Sequence, residues 1–408
     1  MLSHSLVLAR KVLGDADYRV LILANILIGV AYSFVLPFMS VFGTRGVGLG
    51  PVGLGAFMTA TSLGAIACST VLARWSDVML ARRTVLLLGG VAGCLGYLGY
   101  AFIRSVPWLV LNGVVVLGIA SITFSQLFAY ARDLLTRRGV AAKDVPLYMN
   151  VFRLSFALSW TVGPAVAAWL MTLADFRGLF LVASGFFALF VLLVVVGIPN
   201  ILPAEATRQQ ALAMPLRRAW RTPGLVRHFV AFTLYFACSA LAMVNLPLLL
   251  LETLGGAPRD IGIAYSIAPV FELPLMLLTG ALAARFPARR LILGALLLAS
   301  LYYAVLSMVQ QPWQAFPAQV LSAAIVAVTS GVAITFFQDF LPGQPGTATN
   351  LYATAQRIGS TTGYLCFGLL TSSFGARGVF ACCALVCAAA AALLATGRAD
   401  RHRVDGEG

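Results

Sequence analysis

The chain has 408 residues, 60% of them hydrophobic and only 10% charged, with a formal net charge of +14. A soluble domain carries about 25% charged residues, so this composition, with a mean hydropathy of +0.92, excludes a water-soluble enzyme or nucleic-acid-binding domain and leaves a protein of the bilayer. Seven cysteines in apolar stretches and three histidines, His4, His228 and His402, show no metal-ligand spacing, so no metal, cofactor or disulfide framework is expected.

In chain order, residues 1–17 mix Arg10, Lys11, Asp15 and Asp17 with short apolar stretches and offer no signal-cleavage site. A membrane-spanning helix needs about 20 apolar residues. Twelve runs of that order follow: 18–42, 51–73, 84–103, 107–131, 146–173, 178–199, 228–251, 261–284, 291–309, 313–340, 347–374 and 378–396. The most hydrophilic interruption, 200–227, carries Arg208, Arg217, Arg218, Arg221 and Arg227. The expected fold is therefore an all-α membrane protein of two six-helix bundles, 1–199 and 228–408, joined by a cytoplasmic linker, 200–227. With the N-terminus inside, 21 of the 28 basic residues fall in inner segments, five in outer loops and two, Arg153 and Arg357, within spans. That asymmetry places both termini in the cytoplasm and reads the basic charge as topology rather than nucleic-acid binding. The loop between spans ten and eleven has no basic residue and departs from the rule.

The two halves repeat one another. Leu147, Tyr148, Arg153 and Trp160 recur as Leu351, Tyr352, Arg357 and Tyr364, each 204 positions later. Pro107-Trp108, Arg82-Arg83, Asp133 and Arg177-Gly178 recur as Pro312-Trp313, Arg289-Arg290, Asp339 and Arg377-Gly378. An even number of spans per half makes the repeats parallel, related by an axis along the membrane normal, with a polar site expected between them near the midplane.

The layout resembles the major facilitator superfamily. Its signature between spans two and three, roughly G-x3-D-R-x-G-R-R, is matched by Asp77, Arg82 and Arg83 without the glycines, and in the second half by Gly280, Arg285, Arg289 and Arg290 without the aspartate. Three segments resemble the bacterial sugar efflux transporters more closely: 341–359 around Arg357, Phe271-Glu272-Leu273-Pro274 in span eight, and Arg153 through Trp160 to Gly163-Pro164 in span five. The resemblance implies a secondary transporter, acting as a monomer in the bacterial inner membrane, that exports sugars or their analogues against protons. Export of drugs or other amphipathic compounds is the alternative.

A charge at the bilayer centre costs at least ~2.5–3.5 kcal/mol, which singles out three residues. Arg153 and Trp160 are seven apart, as are Arg357 and Tyr364, so each pair shares a helix face over about 10 Å. A guanidinium donates hydrogen bonds to hydroxyl oxygens and an aromatic ring covers the C–H face of a sugar. Structural pairing of the arginines with Asp133 and Asp339 is the competing reading. Glu272 is the acid well inside a span, flanked by Pro269 and Pro274, and is the candidate to carry the coupled proton, to bind substrate hydroxyls, or to alternate between the two, with an ion pair to an intramembrane arginine as the competing reading. Asn25, Tyr32, Gln126, Tyr235, Asn245 and Gln356 are neutral polar candidates for the cavity lining or for interhelical bonding. Asp77, Arg82, Arg83, Arg285 and Arg289, with Asp133 and Asp339, are candidates to clasp the cytoplasmic helix ends.

Overall fold

The computed structural model describes residues 16–78, 80–141, 144–200, 224–341 and 345–396. The 200–227 linker lies almost wholly outside the described residues, as do the Asp77 side chain and both termini. Ten apolar helices are long enough to span a membrane: α1 (Asp17–Gly46), α2 (Pro51–Ser76), α3 (Arg82–Phe102), α4 (Val106–Arg137), a 50-residue run Tyr148–Gly197, α7 (Leu225–Thr253), α8 (Pro258–Ala283), α9 (Ala288–Met308), α10 (Pro312–Asp339) and a 49-residue run Thr347–Ala395.

Each long run is two helices. At 1.5 Å per residue a 50-residue helix extends about 75 Å, more than twice the hydrocarbon thickness. The chain breaks at Asp175 (φ 51°, ψ −163°) and at Gly375 (φ 66°, ψ 178°), giving α5 (145–174), α6 (176–197), α11 (345–374) and α12 (376–395). Ring contacts fix the direction of α6: Phe180 meets Phe42 at the far end of α1, and Phe187 meets Tyr32 one helical stretch back, so α6 runs antiparallel to α1. The repeat is a structural one. Tyr97 stacks on Phe180 in the first half as Tyr303 stacks on Phe380 in the second.

Polar side chains and small residues hold each half together, because lipid supplies no hydrophobic drive between helices. Along α1 and α5, the Tyr18 hydroxyl donates to the Tyr148 carbonyl, Asn25 Nδ2 to the Phe152 carbonyl (2.6 Å) and Ser155 Oγ (2.9 Å), and Ser33 Oγ to the Ser159 carbonyl. In the second half Gly359 and Gly363 sit against the α7 backbone at Thr233 and Ala237.

Two equivalent helix pairs join the halves. A Cβ on Gly55 of α2 would lie 2.9 Å from the Gly368 nitrogen of α11, and one on Gly262 of α8 would lie 2.8 Å from the Pro164 carbonyl of α5. Only hydrogen side chains permit these approaches. Gly163-Pro164 thus lies where α5 crosses α1, through Ser33, and α8, through Gly262. At the same end, the wide turns Phe42–Gly46 and Leu249–Thr253 meet: Thr44 Oγ1 donates to Glu252 Oε1 (3.0 Å) and Arg45 lies 3.8 Å from the same carboxylate. Ser62 and Thr361, 2.9 Å apart, bridge α2 and α11 nearer the middle. The contacts described between the halves thus gather from mid-membrane to the ends where α1 and α7 finish.

Candidate functional site

On α11, Gln356, Ser360 and Tyr364 recur every four residues and so form one stripe. That stripe walls two cavities. One, of about 380 Å³, enters the second half among Tyr235, Tyr265, Tyr302, Tyr303, Tyr352 and Gln319. The other, of about 480 Å³, enters the first half among Thr61, Ser62, Ser69, Ser121 and Ser125, with Arg357 at its wall. Several tyrosine hydroxyls are engaged: Tyr265 donates to the Met243 carbonyl, Tyr352 to the Thr329 carbonyl and Tyr302 to Gln319 Oε1. The hydroxyls of Tyr303 and Tyr364 have no hydrogen-bond partner among the described residues. The lining presents donors, acceptors and aromatic faces together, the chemistry that binds a polyhydroxylated solute.

The three intramembrane charges are placed distinctly. Arg153 on α5 is exposed, within electrostatic range of Glu272 of α8 and Tyr352 of α11 across the divide between the halves. Counted from the Pro164–Gly262 crossing, Arg153 lies eleven residues along α5 and Glu272 ten along α8, which at 1.5 Å per residue puts both about 15–17 Å from the crossing. No salt bridge joins them within 4 Å. Arg357 also makes no hydrogen bond or ion pair among the described residues, and it reaches from the second half into the first-half cavity. The indole nitrogen of Trp160 is buried without a hydrogen-bond partner.

The structure separates the other sequence candidates by what they touch. Tyr235, Gln356 and Tyr364 line the cavities. Asn25 is held between α1 and α5, and Asn245 Nδ2 donates to the Ala376 carbonyl beside the α11–α12 break. Tyr32 donates to the Ala120 carbonyl. Gln126 Oε1 accepts from Ser76 Oγ (2.7 Å) and Arg82 Nη1 (3.0 Å), and Arg82 Nε lies 3.0 Å from Asp133. Asp133 therefore pairs with Arg82, which is 1% exposed, and not with Arg153. Asp339 is exposed and has no partner among the described residues, so it does not hold Arg357. Arg83 donates to the Val195 carbonyl and Arg289 to the Leu394 carbonyl, each within its own half. Arg285 is exposed.

Sequence reasoning passed over the serines and most of the tyrosines that line the cavities. One signal was available: Tyr97 and Tyr303 recur 206 positions apart, as do Asp133 and Asp339. The serines carry no such mark, because an isolated hydroxyl in a span also serves helix packing.

Two six-helix halves around polar cavities, with intramembrane arginines directed across the divide, define a transporter rather than an enzyme. The chain belongs to the Major Facilitator Superfamily, whose family model matches residues 21–239 and 228–407. Among its relatives, a Deinococcus radiodurans protein provisionally named a sugar efflux transporter is 36% identical over 379 residues, covering 91% of this chain and 95% of that one. Sugar efflux transporter A of Dickeya chrysanthemi is 31% identical over 85% of this chain and 87% of its own, and that of Escherichia coli K12 is 28% identical over 91% and 93%. The crystal structure of a D323A mutant of the nucleoside transporter NupG shares the fold with a TM-score of 0.80 at 14% identity, covering 94% of this chain and all of that one.

Proposed function

We propose that the protein exports sugars or related polar solutes across the bacterial inner membrane by alternating access, in exchange for protons, with both termini in the cytoplasm. The observation that carries this reading is the pair of cavities sharing the Gln356–Ser360–Tyr364 wall, rich in hydroxyl and amide groups and adjoined by Arg357. The names of its relatives support the same substrate class. In this orientation the contacts between the halves lie toward the outer side, so the conformation is one open to the cytoplasm, from which an exported solute would enter. The halves 1–199 and 228–408 are the two rocking bodies, pivoting on the glycine contacts of α2 with α11 and α5 with α8.

Arg153 and Trp160 extend the binding surface along α5, where a substrate hydroxyl would satisfy the orphaned indole donor. Glu272, without an ion-pair partner in this conformation and across the divide from Arg153, is the group that carries the exchanged proton. Protonation would remove the attraction to Arg153 and let α5 and α8 part on the cytoplasmic side.

Counterflow of labelled mono- and disaccharides in proteoliposomes, with and without an imposed pH gradient, tests this reading. Sugar accumulation that responds to the gradient is expected. Failure of every sugar, with transport of a hydrophobic cation instead, would replace it with drug export.

A further inference from the structure

Building on the sugar-export reading, we propose that the substrate bears a single negative charge: a sugar acid whose carboxylate is held by Arg357 in the first-half cavity.

The argument is one of charge balance between equivalent positions. Gly55 and Gly262 make the same inter-half contact and lie 207 residues apart. Arg153 and Arg357 are the corresponding arginines on the partner helices α5 and α11. Across from Arg153 stands Glu272, within its electrostatic reach. The position on α2 that corresponds to Glu272, 207 residues earlier, is Ala65, which lines the same cavity as Arg357. One arginine faces a carboxylate and its counterpart faces a methyl group.

The acids at the inner helix ends lie too far off to compensate. The Ser62–Thr361 bridge marks a common level. Arg357 is four residues inward of it and Asp77 fifteen, an axial separation of about 16 Å. Asp133 is committed to Arg82, and Asp339 ends α10 beside Gln338, which bonds Thr349, about eight residues or 12 Å nearer the inner face than Arg357. Arg357 is exposed to the open cavity, so its charge becomes costly when the cavity closes around it and water leaves, and the groups around it, Thr61, Ser62, Ser69, Ser121 and Ser125, are neutral hydroxyls. A carboxylate would take the fork of Arg357 in bidentate fashion while those hydroxyls meet the sugar's own. Counting Arg153, Arg357 and an ionised Glu272, one negative charge on the substrate makes the site neutral. A neutral sugar would leave the excess positive charge in place.

The test sets each acid against its neutral parent in proteoliposome counterflow: glucuronate against glucose, galacturonate against galactose, lactobionate against lactose. The wild type is expected to take at least one acid at roughly tenfold lower concentration than its parent, the scale of a charge-assisted hydrogen-bonded pair. Arg357→Gln should take acid and parent at similar concentrations, whatever its overall rate, and Arg357→Lys should retain part of the preference. Ala65→Glu, which gives Arg357 the in-chain partner that Arg153 has, should also abolish the preference. Transport of neutral sugars with rejection of every acid by the wild type overturns the proposal and leaves sugar export standing, as does an acid preference unchanged in Arg357→Gln and Ala65→Glu. If the variants are inactive toward both members of a pair, the wild-type preference alone decides. Transport of no member of the panel removes the sugar reading and this proposal with it.

Discussion

The Arg82–Asp133 pair shows how one residue's worth depends on its surroundings. Arg82 is 1% exposed and is bonded to Ser76, Gln126 and Asp133. Removing one partner of such a buried pair costs about 3–5 kcal/mol, because the remaining charge stays out of water. Asp133→Asn should therefore lower the thermal unfolding midpoint markedly, whereas Asp339→Asn, at the matching but exposed position, should change stability by less than about 0.5 kcal/mol. Equal effects from the two would contradict the asymmetry seen here. At the end where α1 and α7 finish, Arg45 and Glu252 are 51% and 40% exposed at 3.8 Å, and exposed pairs contribute only ~0.2–1 kcal/mol. Arg45→Ala is accordingly expected to alter the transport rate less than about fivefold. Glu272→Gln tests proton coupling: export by the wild type should respond to an imposed pH gradient, and the variant should exchange sugar at a rate indifferent to it. A gradient response preserved in the variant would remove Glu272 from coupling.

Among the elements, the α5–α6 and α11–α12 breaks are instructive because the halves solve one problem with different residues. Both need a left-handed φ, supplied by Gly375 in one half and by Asp175 in the other. A non-glycine residue held in such a conformation carries strain of order 1–3 kcal/mol, and the exposed Asp175 side chain has no described contact to offset it. Asp175→Gly should thus stabilise the protein by about 1 kcal/mol, read as a raised unfolding midpoint. The α2–α11 contact makes a functional prediction instead. A side chain at Gly55 collides with the Gly368 nitrogen and the Tyr364 carbonyl, backbone atoms that cannot rotate away. Gly55→Leu should hold the outer ends apart, slowing counterflow and making a cysteine at Ser62 reactive to an impermeant thiol reagent from outside. Unchanged counterflow would show that the two helices need not meet this closely.

At the scale of the whole molecule, the proposed rocking requires the outer contacts to separate in every cycle. A cysteine pair at Thr44 and Glu252, whose side chains now meet at 3.0 Å, introduced in a background lacking the seven native cysteines, should stop net export when oxidised. Reduction should restore it. Full activity of the crosslinked protein would exclude separation of these ends as a transport step.

The twelve spans were legible in the sequence because the bilayer acts on each helix separately: hydrocarbon requires about 20 apolar residues whatever the neighbours are. The duplication was legible for the same reason, since Arg153 and Arg357 stand out against apolar runs. Tertiary structure decided which charges are paired. Adjacent arginines on a helix point about 100° apart, so Arg82-Arg83 and Arg289-Arg290 align in sequence while only packing shows that Arg83 and Arg289 do the same work and that Arg82 has no counterpart. The partner of Asp133, the cavity hydroxyls and the alanine opposite Arg357 were equally out of reach. Each depends on which face of a helix meets which neighbour, and hydropathy, which averages around the helix, carries no record of that.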